Sequence, residues 1–325
     1  MTIQEVRLSY PRGPCAGIVR TIDIFEGELE YRNRLGKSGT LYGYHQIVHN
    51  KHVVSDFEKR GVQFVNDIEQ VPDGSTVIYS PHGVSLEVRR NAYRRNLDVI
   101  DATCPFVQKV HDEVRRFASL GYSIIVVGQK NHQEVVGVVS ESPNRTSVVE
   151  NVQDVGKLTD LNGKIAYVTQ TTLNADDTMV IIDALKARYN SIEGPSKGDI
   201  CYATKNRQDA IKKLIEKYSP DLFLILGSKD SSNTNKLLEV AKSNGIDSYR
   251  IDDIQEIKTN MKILDGKKVI GISSGASAPE YLVQETIGFF KNLGVSNDSI
   301  SEFKLIDEKA VFSIPEKINE RWLSQ

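Results

Sequence analysis

The sequence predicts an α/β protein assembled from three pseudo-equivalent units, each with a parallel sheet. Strand-sized apolar runs alternate with one-sided helical stripes, the pattern of parallel α/β layers. The three cysteines, Cys15, Cys104 and Cys201, stand 89 and 97 residues apart, which points to an internal repeat. Around each cysteine the same landmarks recur at similar offsets.

The first landmark is an extended segment, a cysteine and a helix. Residues 6–10 precede Cys15, after which Ile18, Ile22, Phe25 and Leu29 recur at helical spacing. Residues 97–100 precede Cys104, followed by Val107, Val110, Val114 and Phe117, with Pro105 suited to a first helical turn. Gly198-Asp199-Ile200 precedes Cys201, followed by Ile211, Leu214, Ile215 and Tyr218. The second landmark is a strand running into a glycine. Gly128 lies 24 residues after Cys104 and Gly227 lies 26 after Cys201, and Gly43, 28 after Cys15, takes the matching place. The third is a strand with a polar tip. Thr76–Tyr79 ends at Ser80-Pro81-His82, residues 165–168 end at Thr169-Gln170-Thr171-Thr172, and residues 269–272 end at Ser273-Ser274-Gly275-Ala276-Ser277. The first unit therefore spans residues 16–104, the second 105–197, and the third 1–15 with 198–300. Residues 301–325 read as a C-terminal tail packed on the core.

Forty-one basic and 43 acidic side chains leave a net charge of −2, so no basic excess exists to hold nucleic acid. A phosphate-bearing ligand would need a local site. The N-terminus lacks the pattern of a signal peptide, and no apolar run approaches the ~20 residues of a membrane span. The expectation is a cytoplasmic protein without membrane or nucleic-acid partners. An odd, sparse cysteine count argues against a disulfide framework.

Equivalent placement in three units argues that the cysteines share a task, although a lone cysteine is ordinarily a small buried hydrophobe. Each lies near a helix N-terminus, where the dipole favours thiolate. Structural zinc would want four ligands, usually from Cys-x-x-Cys pairs, and none exists. Iron–sulfur clusters are held by thiolates, and three cysteines would leave one iron of four without a protein thiolate. A Cys–His nucleophile pair would leave two cysteines idle.

All six histidines fall between residues 45 and 132. His49, His82 and His132 lie in polar strand-end loops and are the candidate ligand-binding histidines. His52 and His111 sit inside helical runs and read as structural, and His45 stays open. Glu134, two residues past His132 at a loop-to-helix transition, can deliver protons; its plainer reading is a helix-start Glu. The hydroxyl- and amide-rich run from Ser228 to Asn235 precedes a helical stripe and suits either a phosphate cradle or helix capping. Gly275-Ala276-Ser277-Ala278-Pro279 likewise leads into a helix. No Walker loop is present.

These motifs resemble the LytB/IspH family, the 4-hydroxy-3-methylbut-2-enyl diphosphate reductases. The matching stretches are RGPCAG (12–17), IVHN (47–50), PHGVS (81–85), DATCP (101–105), NHQEVVG (131–137), TQTTL (169–173), CYATKNRQ (201–208), GSKDSSNTN (227–235) and SSGASAP (273–279). They occur in order over nearly the whole chain. The resemblance implies a trefoil of three α/β units around a central iron–sulfur cluster. It implies a two-electron reductive dehydration of an allylic alcohol diphosphate to isopentenyl and dimethylallyl diphosphates, the last step of the non-mevalonate route. It places a [4Fe-4S] cluster, one iron lacking a protein thiolate, on Cys15, Cys104 and Cys201. It makes Glu134 the proton source, with Thr171 and His132 near the substrate hydroxyl. It assigns the diphosphate to His49, His82, His132, Ser231, Ser232, Asn233 and Ser277. Pro14, Gln46 and Asp230 depart from the commonest family pattern beside motif residues, and Asp230 adds a negative charge near the phosphate loop.

No G-x-G-x-x-G fingerprint provides for a nicotinamide or flavin, so electrons are expected from an external one-electron carrier of ferredoxin or flavodoxin type. Two rival readings are a zinc-stabilised binding protein and a cysteine hydrolase or transferase. Metal and acid-labile sulfide analysis separates the first, and stoichiometric trapping of one cysteine without metal loss separates the second.

Overall fold

The computed structural model describes residues 3–323 other than 160, 162 and 197. The expected unit boundaries at residues 1, 197 and 325 fall outside the described residues. Among the described residues the strands are β1 (Glu5–Tyr10), β2 (Leu41–Tyr44), β3 (Val62–Val65), β4 (Thr76–Tyr79), β5 (Asp98–Asp101), β6 (Ser123–Val127), β7 (Thr146–Val149), β8 (Ile165–Thr169), β9 (Ile192–Glu193), β10 (Leu222–Leu226), β11 (Ser248–Ile251), β12 (Val269–Ser274) and β13 (Ile300–Lys304). They form three parallel sheets with helices between the strands, an α/β trefoil pattern.

The chain divides into two compact units. One gathers residues up to Cys15, His49–Val53 and Cys201–Ala310. It holds the five-stranded sheet β11-β10-β12-β1-β13. All five residues of β10 are buried and apolar, as a strand covered on both faces requires. Leu222, Leu224 and Leu226 pack on one side with Ile270, Ile272 and Phe290, and Phe223 and Ile225 pack on the other with Ile211, Leu214 and Leu237.

The other unit comprises Ala16–Val48, Val54–Ile200 and residues from 311 onward. It holds two sheets, β3-β2-β4-β5 and β7-β6-β8-β9. The strand order is the same in all three sheets, with β1 standing in its own sheet where β5 and β9 stand in theirs. The helical stripe Val107, Val110, Val114 and Phe117 is buried throughout, on helix Pro105–Ser119. Helix Ala16–Arg34 buries Ile18, Phe25 and Leu29 but only half of Ile22, and its buried face also takes in Ile24 and Glu28. Glu28 is covered from the tail, where Arg321 donates to it at 3.0 Å and Trp322 Nε1 at 3.1 Å.

Four local expectations need correction. Gly43 lies inside β2, where the Phe64 ring would sit 2.5 Å from an added Cβ. The residue matching Gly128 and Gly227 is His45, at φ 59°. The His45 N–H donates to Val65 O at 2.7 Å, as Gly128 does to Val149 O at 3.0 Å and Gly227 to Ile251 O at 2.9 Å. Residues 198–200 form no strand, because Gly198 takes φ 64° and the Asp199 side chain ties the segment to its neighbours. Ser273 and Ser274 belong to β12 rather than to the loop after it. The stretch read as tail also contributes four residues of β13, which pairs with β1 over Val6–Ile300 to Tyr10–Lys304.

Candidate active site

Each cysteine sits immediately before a helix. Cys104 and Cys201 are the N-cap residues of Pro105–Ser119 and Tyr202–Tyr218, with backbone angles of −61°, 136° and −60°, 136°. Cys15 directly precedes helix Ala16–Arg34. All three are half-buried thiols. Neither Cys104 nor Cys201 makes a side-chain cap bond at its helix start, where the helix dipole favours a thiolate.

In the larger unit, β8 runs into the turn carrying Thr171, and His132 caps helix Gln133–Ser140, which carries Glu134 in its first turn. Glu134 is fully buried. Its Oε1 accepts the Thr171 N–H at 2.7 Å, and its Oε2 accepts the Thr171 hydroxyl at 2.9 Å. Burial is the largest influence on its carboxyl and pushes it up to about 7, against the two Thr171 bonds and with help from Asp199. The group is thus poised between acid and carboxylate near neutrality. His132 Nδ1 accepts the Glu134 N–H at 3.2 Å, which leaves the neutral ring's hydrogen on Nε2. The His82 and His132 rings meet edge to face at 5.6 Å.

A pH signature follows. A folded-state value above the unfolded one stabilises the fold while Glu134 is neutral, and that contribution is lost as pH rises through about 7. Glu134→Gln keeps the neutral shape. Its thermal midpoint should match the parent's near about pH 4, below the ordinary carboxyl value, and exceed it near about pH 8. Equal differences at both pH values in differential scanning calorimetry would contradict the assigned burial.

In the smaller unit, Ser231 caps helix Ser232–Ser243, its hydroxyl accepting the Thr234 N–H at 3.2 Å. Ser231, Ser232, Asn233 and Ser277 are all buried. Ser277 Oγ lies 3.5 Å from Ser231 Oγ and 3.3 Å from the His49 carbonyl oxygen. Neither amide atom of Asn233 has a hydrogen bond among the described residues. Gly227 and Gly275 make room for this helix start: an added Cβ would come within 2.5 and 2.1 Å of Thr234 Oγ1.

Among the described residues, buried hydroxyls without hydrogen-bond partners gather at strand ends. Ser9, Ser273 and Ser274 do so in the smaller unit, and Ser80 and Thr169 in the larger. Parallel sheets bind ligands beyond these ends, and an unpaired buried polar group is a cost that a ligand can remove. The remaining histidines each pair with a side chain of their own unit. His52 donates or accepts at 3.2 Å with Asp253, beside Lys51. His111 is buried with Nδ1 2.7 Å from Glu141. His45 forms the turn after β2 and reaches Asn66 at 3.2 Å. Asp230 and Gln46 are exposed and Pro14 is half-buried.

Sequence reasoning missed Asp199 and Glu113. Asp199 Oδ2 accepts the Thr169 N–H at 2.8 Å, two residues before Thr171, while Lys109 reaches Oδ1 at 3.0 Å. Burial and a hydrogen bond shared with Asp199 push Glu113 up to about 7. The available signal was an acidic residue two places before Cys201. Its partners lie 30 and 90 residues away, which pattern alone does not reveal.

A family model for the LytB protein matches residues 6–291. A 4-hydroxy-3-methylbut-2-enyl diphosphate reductase of Mannheimia succiniciproducens is 44% identical over 318 residues, covering 97% of this chain and 98% of that protein. The solved structure of the E-1-hydroxy-2-methyl-but-2-enyl-4-diphosphate reductase from Plasmodium falciparum superposes with a TM-score of 0.92 at 37% identity, covering 98% of both chains. A second solved structure, of (E)-4-hydroxy-3-methyl-but-2-enyl diphosphate reductase, the terminal enzyme of the non-mevalonate pathway, gives 0.62 at 29% identity, covering 89% of this chain and all of that one. No helix among the described residues is long and apolar enough to cross a membrane.

Proposed function

The chain belongs to the LytB family, and from that premise we propose that it reduces 4-hydroxy-3-methylbut-2-enyl diphosphate to isopentenyl and dimethylallyl diphosphates. The observation that carries this reading is Glu134, fully buried, held by two Thr171 hydrogen bonds and poised near neutrality. The reaction breaks the allylic C–O bond and forms a C–H bond. Two electrons enter, one proton leaves with the hydroxyl as water, and a second proton joins carbon. An allylic unit can take that proton at either end, which accounts for two products.

The donor set of the three cysteines fits an iron–sulfur cluster. Cys104 and Cys201 share one backbone geometry at a helix N-terminus, Cys15 occupies the same place, and no paired knuckle offers zinc its four ligands. In this proposal Cys15, Cys104 and Cys201 hold a [4Fe-4S] cluster with one iron lacking a protein thiolate. When bound, the cluster supplies the electrons one at a time, drawn from an external carrier of ferredoxin or flavodoxin type.

The chain's own residues supply the rest. Glu134 is the proton source, and Thr171 Oγ1, bonded to Glu134 Oε2, relays toward the substrate hydroxyl. His132 meets the substrate through Nε2–H, because Nδ1 is engaged with the Glu134 N–H. The diphosphate is assigned to Ser231, Ser232, Asn233 and Ser277 at a helix start, with His49, His82 and His132. These are mostly neutral donors, suited to a compact anion.

Asn233→Ala should weaken binding of the diphosphate substrate by on the order of 1–3 kcal/mol while leaving the ligand-free protein at least as stable, since it removes an unsatisfied buried amide. Isothermal calorimetry beside thermal unfolding checks both halves. Unchanged affinity would remove Asn233 from the pocket. The proposed activity itself is tested by anaerobic turnover of the allylic alcohol diphosphate with a strong chemical reductant. Formation of both isomeric products is expected, and unreacted substrate with a reduced, intact cluster would overturn the reading.

A further inference from the structure

Each helix that follows a cysteine carries a basic side chain one and a half turns on, and each of these grips the loop before a different cysteine. Arg20, five residues after Cys15, donates from Nη1 to Ala102 O at 3.2 Å and Thr103 O at 3.1 Å, the two residues before Cys104. Lys109, five residues after Cys104, donates from Nζ to Gly198 O at 2.7 Å and to Asp199 Oδ1 at 3.0 Å, just before Cys201. Arg207, six residues after Cys201, donates to Gly13 O at 2.8 Å from Nη2 and 3.3 Å from Nε, two residues before Cys15. The relation closes on itself: first helix to second loop, second to third, third to first.

Burial sets the two arginine contacts apart from surface ion pairs, while the Lys109 side chain is 32% exposed and reaches a fully buried Asp199 carboxylate. Arg207 is 1% exposed and Arg20 is 6% exposed. Arg20 also holds Ser313 O at 3.1 Å, and Arg207 also holds Ala203 O at 2.8 Å and Glu308 at 3.0 Å. A buried cation aimed at main-chain carbonyls fixes a loop without competing for its side chains.

We propose that Arg20, Lys109 and Arg207 form a cyclic set of clamps in which the helix behind each cysteine locks the loop of another, so that the three thiolates are presented to the cluster as one preorganised set. They are positioning residues, acting through main-chain carbonyls. The proposal rests on the cluster reading above. It makes cluster retention cooperative: releasing one loop loosens the whole ligand set, in contrast to three loops that hold their irons independently.

The test is the rate at which anaerobically prepared holoprotein gives up iron to an excess of a ferrous chelator, followed optically, with thermal unfolding of the same samples. Lys109→Met, at the most exposed of the three positions, is the first variant. It should lose iron at least about tenfold faster, because the charge-assisted hydrogen bonds to Gly198 O and Asp199 Oδ1 are both lost, and Lys109→Arg should restore slow release. Arg207→Met is made together with Glu308→Gln, so that no buried carboxylate is left unpaired, and should show the same acceleration. Lys213→Gln, an exposed pair with Glu216 on the helix that carries Arg207, is the control and should release iron at the parent rate. Parent-like iron release from Lys109→Met overturns the clamp. So does a faster release that Lys109→Arg fails to slow. An unmodified protein without iron and sulfide would overturn the cluster reading instead, which keeps the two failures distinct.

Discussion

Glu134→Gln is expected to keep the fold, the cluster and substrate binding while losing turnover by roughly 10²–10⁴-fold, the range of a general acid, or more if no other proton route exists. The cluster supplies electrons and no protons, so both protons must come from the chain or from water. Glu134 is the only acidic residue in the motif from Asn131 to Gly137. Its burial holds it near neutrality, where it can give a proton and recover one within a catalytic cycle. The substitution is nearly isosteric, and the amide can still accept the Thr171 N–H through oxygen and donate to the Thr171 hydroxyl through nitrogen. Misfolding is therefore a poor account of any lost rate. The measurement is steady-state turnover with a chemical reductant, beside a spectroscopic check that the cluster still responds to substrate. Turnover within about threefold of the parent, far outside the general-acid range, would make Glu134 a structural carboxylate. The donor would then be sought at His132.

Replacing any one of Cys15, Cys104 or Cys201 by Ser is expected to remove the cluster or nearly all of its activity. A hydroxyl at a helix start is a good cap but a poor ligand for iron in a sulfide cluster, so the fold should tolerate the change better than the cofactor does. The matched N-cap geometry of Cys104 and Cys201 argues that the positions are equivalent, and equal losses across the three variants are the expected pattern. Full iron content with normal turnover in any one variant would break the shared-cluster proposal.

The sequence carried much of this because the repeat is written locally. Periodic apolar residues from Val107 to Phe117 and the unbroken run of β10 declare their own structure, since burial on one or both faces leaves a direct imprint on spacing. The polar tip at Ser80 was legible too, whereas Thr169, Ser273 and Ser274 proved to be the last residues of their strands. Where the reading slipped, the deciding interaction was distant. Gly43 looked like the partner of Gly128 and Gly227, but its glycine answers to the Phe64 ring, and the turn falls instead to His45. Asp199 replaced an expected extended segment because its carboxylate finds Lys109 and Thr169. Nothing in local spacing marks Arg20 or Arg207, and only the fold reveals that their guanidinium groups are buried against carbonyls 82 and 194 residues away. Helix Ala16–Arg34 shows the same limit: its stripe predicts Ile22 inside, while Glu28 takes the buried place because Arg321 and Trp322 cover it.

The most direct test of the central claim is the metal and sulfide inventory of anaerobically purified protein, read together with its Mössbauer spectrum before and after addition of the allylic diphosphate. The account predicts iron and acid-labile sulfide in equal amounts, about four of each per chain, and a spectrum in which the substrate perturbs a single iron, the one without a protein thiolate. Zinc in place of iron, iron without sulfide, or a cluster spectrum indifferent to the substrate would contradict it.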